Sequence, residues 1–206
     1  MLARLLTGAM AAALLLAPAG CSRQEVTARL SGSSMARMAP GALPAMRWDH
    51  RAEAADWTRA TLGALDSHGA ALPDSLPADV ARFCPGYARA SQAERQAFWA
   101  GLLSALAKHE STWNPGAVGG GGRWFGLVQI SPRTAQGYGC RAQSGAALQD
   151  GGANLSCAVR IMSRTVARDG VIAQGGRGVA ADWGPMNVAD KRADIAAWTS
   201  RQSYCQ

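Results

Sequence analysis

Residues 91–115 carry the feature that most constrains the fold, a helix with both a start signal and a stop signal in the sequence. Ser91-Gln92-Ala93-Glu94 is a capping box, in which a hydroxyl and a carboxylate satisfy the free amides of a first helical turn. Apolar residues then recur near helical spacing, at Phe98, Leu102, Ala105 and Leu106. We therefore predict a long helix that ends near Glu110, before Asn114-Pro115.

The segment after this helix is rich in glycine and aromatic residues. Gly119–Gly122 is a flexible run, and Trp124–Ile130 is typical of a short strand or one arm of a hairpin. Ser131-Pro132 is typical of an N-cap followed by the first residue of another helix. Glu110, the last glutamate in the chain, is therefore expected beside a loop of glycine and aromatic residues.

The rest of the chain predicts a mainly α fold with a small β-hairpin. The 206 residues suffice for one domain of about 150 residues plus additional segments. No repeat of fixed period is present. Further helices are predicted at Ala52–Asp66, from an Asp79 cap through Phe83, at Asp150–Arg168 and at Val188–Arg201.

The N-terminus is typical of an export signal. A basic Arg4 precedes the apolar run Leu5–Ala17, so residues 1–20 are predicted to be a signal peptide. Pro18-Ala-Gly-Cys21 resembles a bacterial lipobox, although the box has Pro18 where leucine is usual, and it predicts a lipid anchor on Cys21. The alternative is ordinary cleavage nearby. Residues 22–46 are interpreted as a flexible tether, and residues 47–206 as the folded domain.

Four cysteines remain after Cys21, and an even number in an exported chain predicts two disulfides. Three pairings are possible. We favour Cys140–Cys157, which closes a short loop, and Cys84–Cys205, which ties the C-terminus to the body. A zinc site is disfavoured because no Cys-x-x-Cys pair occurs and the histidines lie far from the cysteines.

The formal charge of +7 comes from scattered arginines, and only two lysines occur, Lys108 and Lys191. Without a dense basic run, nucleic-acid binding is not expected. Attraction to an anionic envelope polymer or membrane surface explains the charge better.

A lone carboxyl among apolar and aromatic residues suits a general acid that acts on a sugar. No Asp or Glu occurs between Glu110 and Asp150, and packing near tryptophan would disfavour the carboxylate form of Glu110. Most glycosidases use a second carboxylate. Asp150, Asp169 and Asp182 stay open for that role, because folding could bring any of them close.

Two groups of residues in this part of the chain form a recognisable pattern. The first, within Ala107–Ala135, is Glu110, Ser111, Ala117, Gly126, Leu127, Gln129, Ile130, Pro132, Thr134 and Ala135. The second is Asn154-Leu155 with Cys157-Ala158, in what would be the following helix. This pattern resembles the core motif of lytic transglycosylases of the soluble-lytic-transglycosylase (SLT) type, relatives of goose-type lysozyme. The resemblance implies an α+β lysozyme-like fold with the hairpin beside the active-site groove.

The resemblance makes Glu110 the only catalytic residue. It implies that Ser111 and Gln129 bind sugar, whereas Gly126 either contacts substrate or permits close backbone approach. The flanking aromatics of the motif are candidates for lining the saccharide groove, as are later residues: Trp113, Trp124, Tyr138 and Trp183.

One position departs from the family pattern. Where Ala-Tyr-Asn is common late in the domain, this chain has Ala181-Asp182-Trp183. The tyrosine of the family steadies the catalytic carboxyl, and a tryptophan cannot accept a hydrogen bond. Trp183 fills that space in our interpretation, and Tyr138 or Tyr87 is a candidate to supply a hydroxyl from elsewhere.

The function implied is cleavage of the β-1,4 bond between N-acetylmuramic acid and N-acetylglucosamine in peptidoglycan glycan strands, with a 1,6-anhydro product. No cofactor or metal is expected. The expected location is the bacterial envelope, in the periplasm and anchored to a membrane; the oligomeric state is not determined by the sequence. The alternatives are a muramidase that uses water and a weakly active peptidoglycan-binding lipoprotein, which the missing Ala-Tyr-Asn favours slightly.

Overall fold

A computed structural model describes residues 41–206. The predicted signal peptide, the lipidation site Cys21 and the tether as far as residue 40 lie outside the described residues. No helix in the described part is long and apolar enough to cross a membrane.

The described chain is mainly helical with one two-stranded sheet, which confirms the predicted fold class. Short 3₁₀ turns connect several of the elements. The two strands are β1 (Val118–Gly119) and β2 (Trp124–Phe125). The helices are α1 (Ala54–Asp66), α2 (Ala71–Asp74), α3 (Val80–Phe83), α4 (Gln92–Ser111), α5 (Pro132–Gly137), α6 (Gly145–Leu148), α7 (Gly151–Asp169) and α8 (Ala189–Thr199).

Helix α4 forms the centre of the core. It begins with the predicted capping box, in which Ser91 Oγ accepts from the Glu94 amide and the Glu94 carboxylate accepts from the Ser91 amide. Every residue from Ala97 to Ala107 is buried, so the helix is enclosed on all sides. Helices α1, α2 and α8 pack against it, and α7 packs against α1. The helix ends at Thr112, which adopts a left-handed conformation.

The folded body includes part of the segment that was assigned to the tether. Met46 is buried in the core, and the carbonyl of Ala45 accepts a hydrogen bond from Tyr204 Oη. The amide of Arg47 donates to Ser104 Oγ on α4. The chain is therefore packed against the domain before residue 47.

Two disulfides join the cysteines in the favoured pairing. Cys84–Cys205 links the residue after α3 to the C-terminus, and Cys140–Cys157 links the loop after α5 to α7. Both pairs are buried, and the first spans 121 residues of sequence whereas the second spans 17.

The β-hairpin is shorter than the predicted arm Trp124–Ile130. Strands β1 and β2 are antiparallel, with Val118 opposite Phe125 and Gly119 opposite Trp124. The chain turns after Phe125 because Gly126 has a φ of +81°, and it returns so that Ile130 bridges to Phe125.

Removal of the Cys84–Cys205 disulfide is expected to destabilise the domain more than removal of Cys140–Cys157. The longer bridge restricts the unfolded chain more strongly, by about 5 kcal/mol against about 3 kcal/mol in the loop-entropy description. Thermal unfolding of the two double-serine variants checks this order. Equal unfolding midpoints, or a lower midpoint for the variant without Cys140–Cys157, would contradict it.

Candidate active site

Glu110 lies in the last turn of α4 and opens into a cleft of about 490 Å³. Among the described residues, none donates a hydrogen bond to its carboxyl, which is therefore free to meet a ligand. The cleft is bounded by the end of α4, the hairpin, the turn at 182–185 and the start of α8. Its lining is His109, Glu110, Gly119, Gly120, Trp124, Gln129, Asp182, Trp183, Gly184, Pro185, Val188 and Lys191.

The Glu110 carboxyl is poised to hold a proton near neutral pH. Burial raises its pKa from an ordinary 4.5 to about 7, because the charged form loses hydration. The positive charge of Lys191 acts in the opposite direction and lowers the pKa. A carboxyl with such a pKa can donate a proton and take it back at neutral pH, as a general acid and base must.

The hairpin forms one wall of the cleft. Trp124 is 41% exposed, and the Arg123 guanidinium lies 4.7 Å from the centre of its ring. A Cβ atom on Gly120 would overlap this ring, and one on Gly119 would overlap the side-chain oxygen of Gln129. The two glycines therefore let the aromatic and amide groups lie flat against the backbone of the hairpin.

Gln129 lies in the cleft with its amide nitrogen directed back to the hairpin. It donates to the carbonyls of Ala117, at 3.3 Å, and Gly126, at 3.0 Å. Its φ is +49°, and the only other non-glycine residues with positive φ in the described chain are Thr112 and Trp113. All three belong to the predicted motif, and backbone strain of this kind concentrates at functional sites.

Three of the predicted site residues, Ser111, Trp113 and Gly126, do not line the cleft but stabilise the backbone next to it. Ser111 Oγ donates to the Leu127 carbonyl at 2.8 Å. Trp113 is partly buried, and its indole donates to the Ser104 carbonyl at 2.8 Å. Gly126 is buried, and a Cβ there would overlap the carbonyl of Leu148 and the amide of Asn154, so its close packing explains the glycine.

Asn154 of α7 holds the motif loop, residues 125–130, against α7 and the end of α6. It is fully buried, and its Oδ1 accepts from the Val128 amide at 3.0 Å. Its Nδ2 donates to the carbonyls of Phe125 and Leu148, each at 2.9 Å. The sequence marked Asn154 only as part of the second family match, and a buried asparagine gives no local signal of the loop that it holds.

Asp182 and Trp183, which differ from the family's Ala-Tyr-Asn pattern, lie in the wall of the cleft opposite the hairpin. Trp183 is 3% exposed, and its indole donates to the Val128 carbonyl at 2.9 Å, so it is a packed wall of the cleft. Asp182 beside it accepts from Tyr138 Oη at 3.2 Å. Removal of this carboxyl from water raises its pKa, although the residue as a whole is exposed.

Tyr87 does not contact the Glu110 carboxyl, so the expectation that its hydroxyl supports Glu110 is wrong. Its buried hydroxyl accepts from the Trp99 indole at 2.8 Å and lies against the carbonyls of Leu72 and Pro73, within the core. Tyr138 points to Asp182, and Tyr204, the third tyrosine, points to Ala45. No tyrosine hydroxyl therefore bonds Glu110.

Two polar residues of the cleft were missed as site residues. Lys191 enters from the first turn of α8, and His109 lines the cleft beside Glu110 while its Nε2 lies 2.7 Å from Asp194. No sequence signal connects α8 to the motif, since the two segments are far apart along the chain. Within residues 41–206, no three His, Cys, Asp or Glu side chains are grouped to hold a metal ion.

An α-rich body that presents one glutamate of raised pKa between a hairpin and a helix start defines an enzyme of the lysozyme-like, glycan-cleaving class. The sequence model described as "Transglycosylase SLT domain" matches residues 88–174. Comparison with curated proteins gave no match.

Solved structures agree with this family. Wild-type Bd0314 DslA (form 2) is 33% identical, with 80% of this chain and 100% of that chain covered and a TM-score of 0.72. A glutamate-to-glutamine mutant of Bd0314 DslA is 34% identical, with 77% and 95% covered and a TM-score of 0.70. The chain belongs to the SLT-type lytic transglycosylases, enzymes of the lysozyme-like superfamily that act on peptidoglycan.

Replacement of Glu110 by glutamine is expected to stabilise the protein at pH 8 and not at pH 4. Because the folded state raises the pKa of Glu110 from 4.5 to about 7, the folded parent binds more protons between these values and loses stability as pH rises. The loss reaches at most about 3 kcal/mol. Thermal unfolding of both proteins at pH 4 and pH 8 measures it; the same difference at both pH values would refute the shift.

Proposed function

We propose that Glu110 alone performs the acid and base steps of cleavage between N-acetylmuramic acid and N-acetylglucosamine. The main support for this proposal is the Glu110 carboxyl, which is partly buried in an open cleft and has its pKa raised to about 7. It accepts no hydrogen bond from another described residue. A carboxyl of this kind also favours an active enzyme over a protein that only binds peptidoglycan.

In the first step the Glu110 carboxyl protonates the oxygen of the glycosidic bond, and the bond from that oxygen to C1 of the muramyl sugar breaks. In the second step the Glu110 carboxylate takes the proton of the 6-hydroxyl of the same sugar. The 6-oxygen attacks C1 and closes a 1,6-anhydro ring. No water is consumed, and the enzyme ends with its proton restored.

We assign sugar binding to the residues that the cleft exposes. Trp124 offers a flat apolar face to a saccharide, and Gln129 lines the same cleft as Glu110 on the motif side. Trp183 and Asp182 form the far wall, and Tyr138 contributes to it through its hydrogen bond to Asp182. Ser111 contributes through its hydrogen bond to the Leu127 carbonyl. Trp113 and Gly126 act by shaping the loop that carries these groups.

A hydrolase is the second candidate, because Asp182 lines the same cleft as Glu110. In that mechanism the second carboxylate activates a water or forms a covalent intermediate, and a reducing end results. Tyr138 Oη holds the Asp182 carboxyl at 3.2 Å, a contact that would orient it for such a role. Asp150 and Asp169 do not line the cleft with Glu110.

We further propose that the protein acts in the bacterial envelope, held at a membrane by lipid on Cys21. The lipobox-like Pro-Ala-Gly-Cys and the apolar run before it support this assignment. The positive formal charge of +7 favours approach to anionic envelope polymers.

Digestion of peptidoglycan sacculi by the purified, disulfide-bonded protein is expected to release anhydromuropeptides. Glu110→Gln should lower the rate by at least about a hundredfold, because its amide cannot donate the proton. The rate of the parent should also fall as pH rises above about 7, where Glu110 ionises. Mass spectrometry of the soluble products distinguishes anhydro ends from reducing ends. Reducing ends would show that the enzyme is a hydrolase and not a transglycosylase.

Asp182→Asn separates the two mechanisms. If Glu110 acts alone, the variant still releases anhydro products, with a rate reduced by less than about tenfold because the Tyr138 contact can be kept by the amide. If Asp182 is the second catalytic carboxylate, cleavage falls by orders of magnitude. Initial rates and product masses of the variant, measured beside the parent, decide between the two.

A further inference from the structure

The cleft contains one cation that the proposed acid–base chemistry does not use. Lys191 lines it from the first turn of α8, on the same cleft as Glu110 and Asp182. Within residues 41–206, no carboxylate forms an ion pair with Lys191. Its charge is therefore available to a ligand.

The arrangement of neighbouring charges explains why Lys191 is left unpaired. Asp194, three residues further along α8, would be its natural partner on the helix. Asp194 is instead occupied by Arg47 at 2.6 Å, His109 at 2.7 Å and Lys108 at 3.2 Å. These three partners lower the pKa of Asp194 and keep it ionised, and both of its carboxylate oxygens already have partners.

The carboxyls of the cleft do not neutralise Lys191 either. Glu110 must be protonated, and so uncharged, when it meets the substrate. Asp182 forms no ion pair with Lys191 within residues 41–206, and its carboxyl accepts a hydrogen bond from the Tyr138 hydroxyl at 3.2 Å. Apolar Trp183, Pro185 and Val188 also line the cleft, together with the polar side chains of His109 and Gln129, and Lys191 itself is exposed. An ion pair between its ammonium and an anion is therefore expected to have the modest strength of a solvent-exposed pair.

We propose that Lys191 binds a carboxylate on the branch of the muramyl sugar and so places that sugar's C1 against Glu110. This inference rests on the proposed function, and it adds the group that selects the sugar. A glycan strand of N-acetylglucosamine alone is uncharged, whereas muramic acid carries a lactyl group that ends either in a free carboxylate or in a peptide with its own carboxylates. Lys191 therefore distinguishes the two sugars by charge.

The test measures binding of uncut glycans to Glu110→Gln protein by calorimetry. The Glu110→Gln substitution prevents cleavage and removes the titratable carboxyl. Any effect of Lys191 on the pKa of Glu110 therefore cannot change the measured binding. The three probes are glycan strands with peptides, strands after an amidase has removed the peptides, and chito-oligosaccharides of equal length. Lys191→Met is added to the Glu110→Gln background, beside Lys191→Arg, which keeps the positive charge.

We expect Lys191→Met to weaken binding of a carboxylate-bearing strand about three- to tenfold relative to chito-oligosaccharide, and Lys191→Arg to recover most of it. If Lys191→Met lowers the affinity for the peptide-free strand, Lys191 contacts the lactyl carboxylate. If it lowers the affinity only for the peptide-bearing strand, Lys191 contacts a carboxylate of the peptide. The difference should shrink in high salt.

Lys108→Met is the matched control, since Lys108 is the only other lysine and pairs with Asp194 at 3.2 Å. It should leave the preference for muramyl strands as in the parent. Equal weakening of all three probes by Lys191→Met, or no weakening of any, would overturn the inference. Products of the parent enzyme on sacculi report on the proposed function separately, so either claim can fail without the other.

Discussion

Burial of the central part of α4, Ala97–Ala107, is the constraint on which the rest of the structure depends. A helix that is enclosed along Ala97–Ala107 must be covered on every side, so α1, α2 and α8 surround it and α7 closes over α1. Outside this stretch the helix reaches solvent at both ends, and its C-terminal turn opens into the cleft. Glu110 lies in that turn, partly buried and partly in the cleft, and this burial raises its pKa.

The motif loop is held by polar contacts that reach into the core. Asn154 uses its oxygen and its nitrogen on three backbone groups of the loop and of α6, and the Trp183 indole binds the Val128 carbonyl from the other side. Hydrogen bonds of this kind are costly to leave unmade in a buried site. They therefore restrain the strained backbone at Gln129, which lines the same cleft as the Glu110 carboxyl.

Charged side chains in and next to the cleft form two clusters. One is structural: Asp194 ties the segment before α1 to the end of α4 and to α8 through Arg47, Lys108 and His109. The other lines the cleft, where Lys191 and Asp182 lie with Glu110, whose pKa burial raises to about 7. Because the first cluster satisfies Asp194, Lys191 has no ion-pair partner within residues 41–206.

Local signals in the sequence determined the start of α4, the N-cap Ser131 of α5 and the approximate bounds of α7. They also determined the mainly α class and the family, because caps, helical periodicity and motif residues act or are recognised within short segments. They also singled out Glu110. The hairpin was predicted too long, since the turn at Gly126 depends on Asn154 from a distant helix. Only the tertiary structure decided that Lys191 and Asp182 share the cleft with Glu110, that Tyr87 is committed to the core, and that Trp183 is a packed wall. These facts depend on contacts between segments far apart in the chain, and no local pattern encodes which distant side chain meets which.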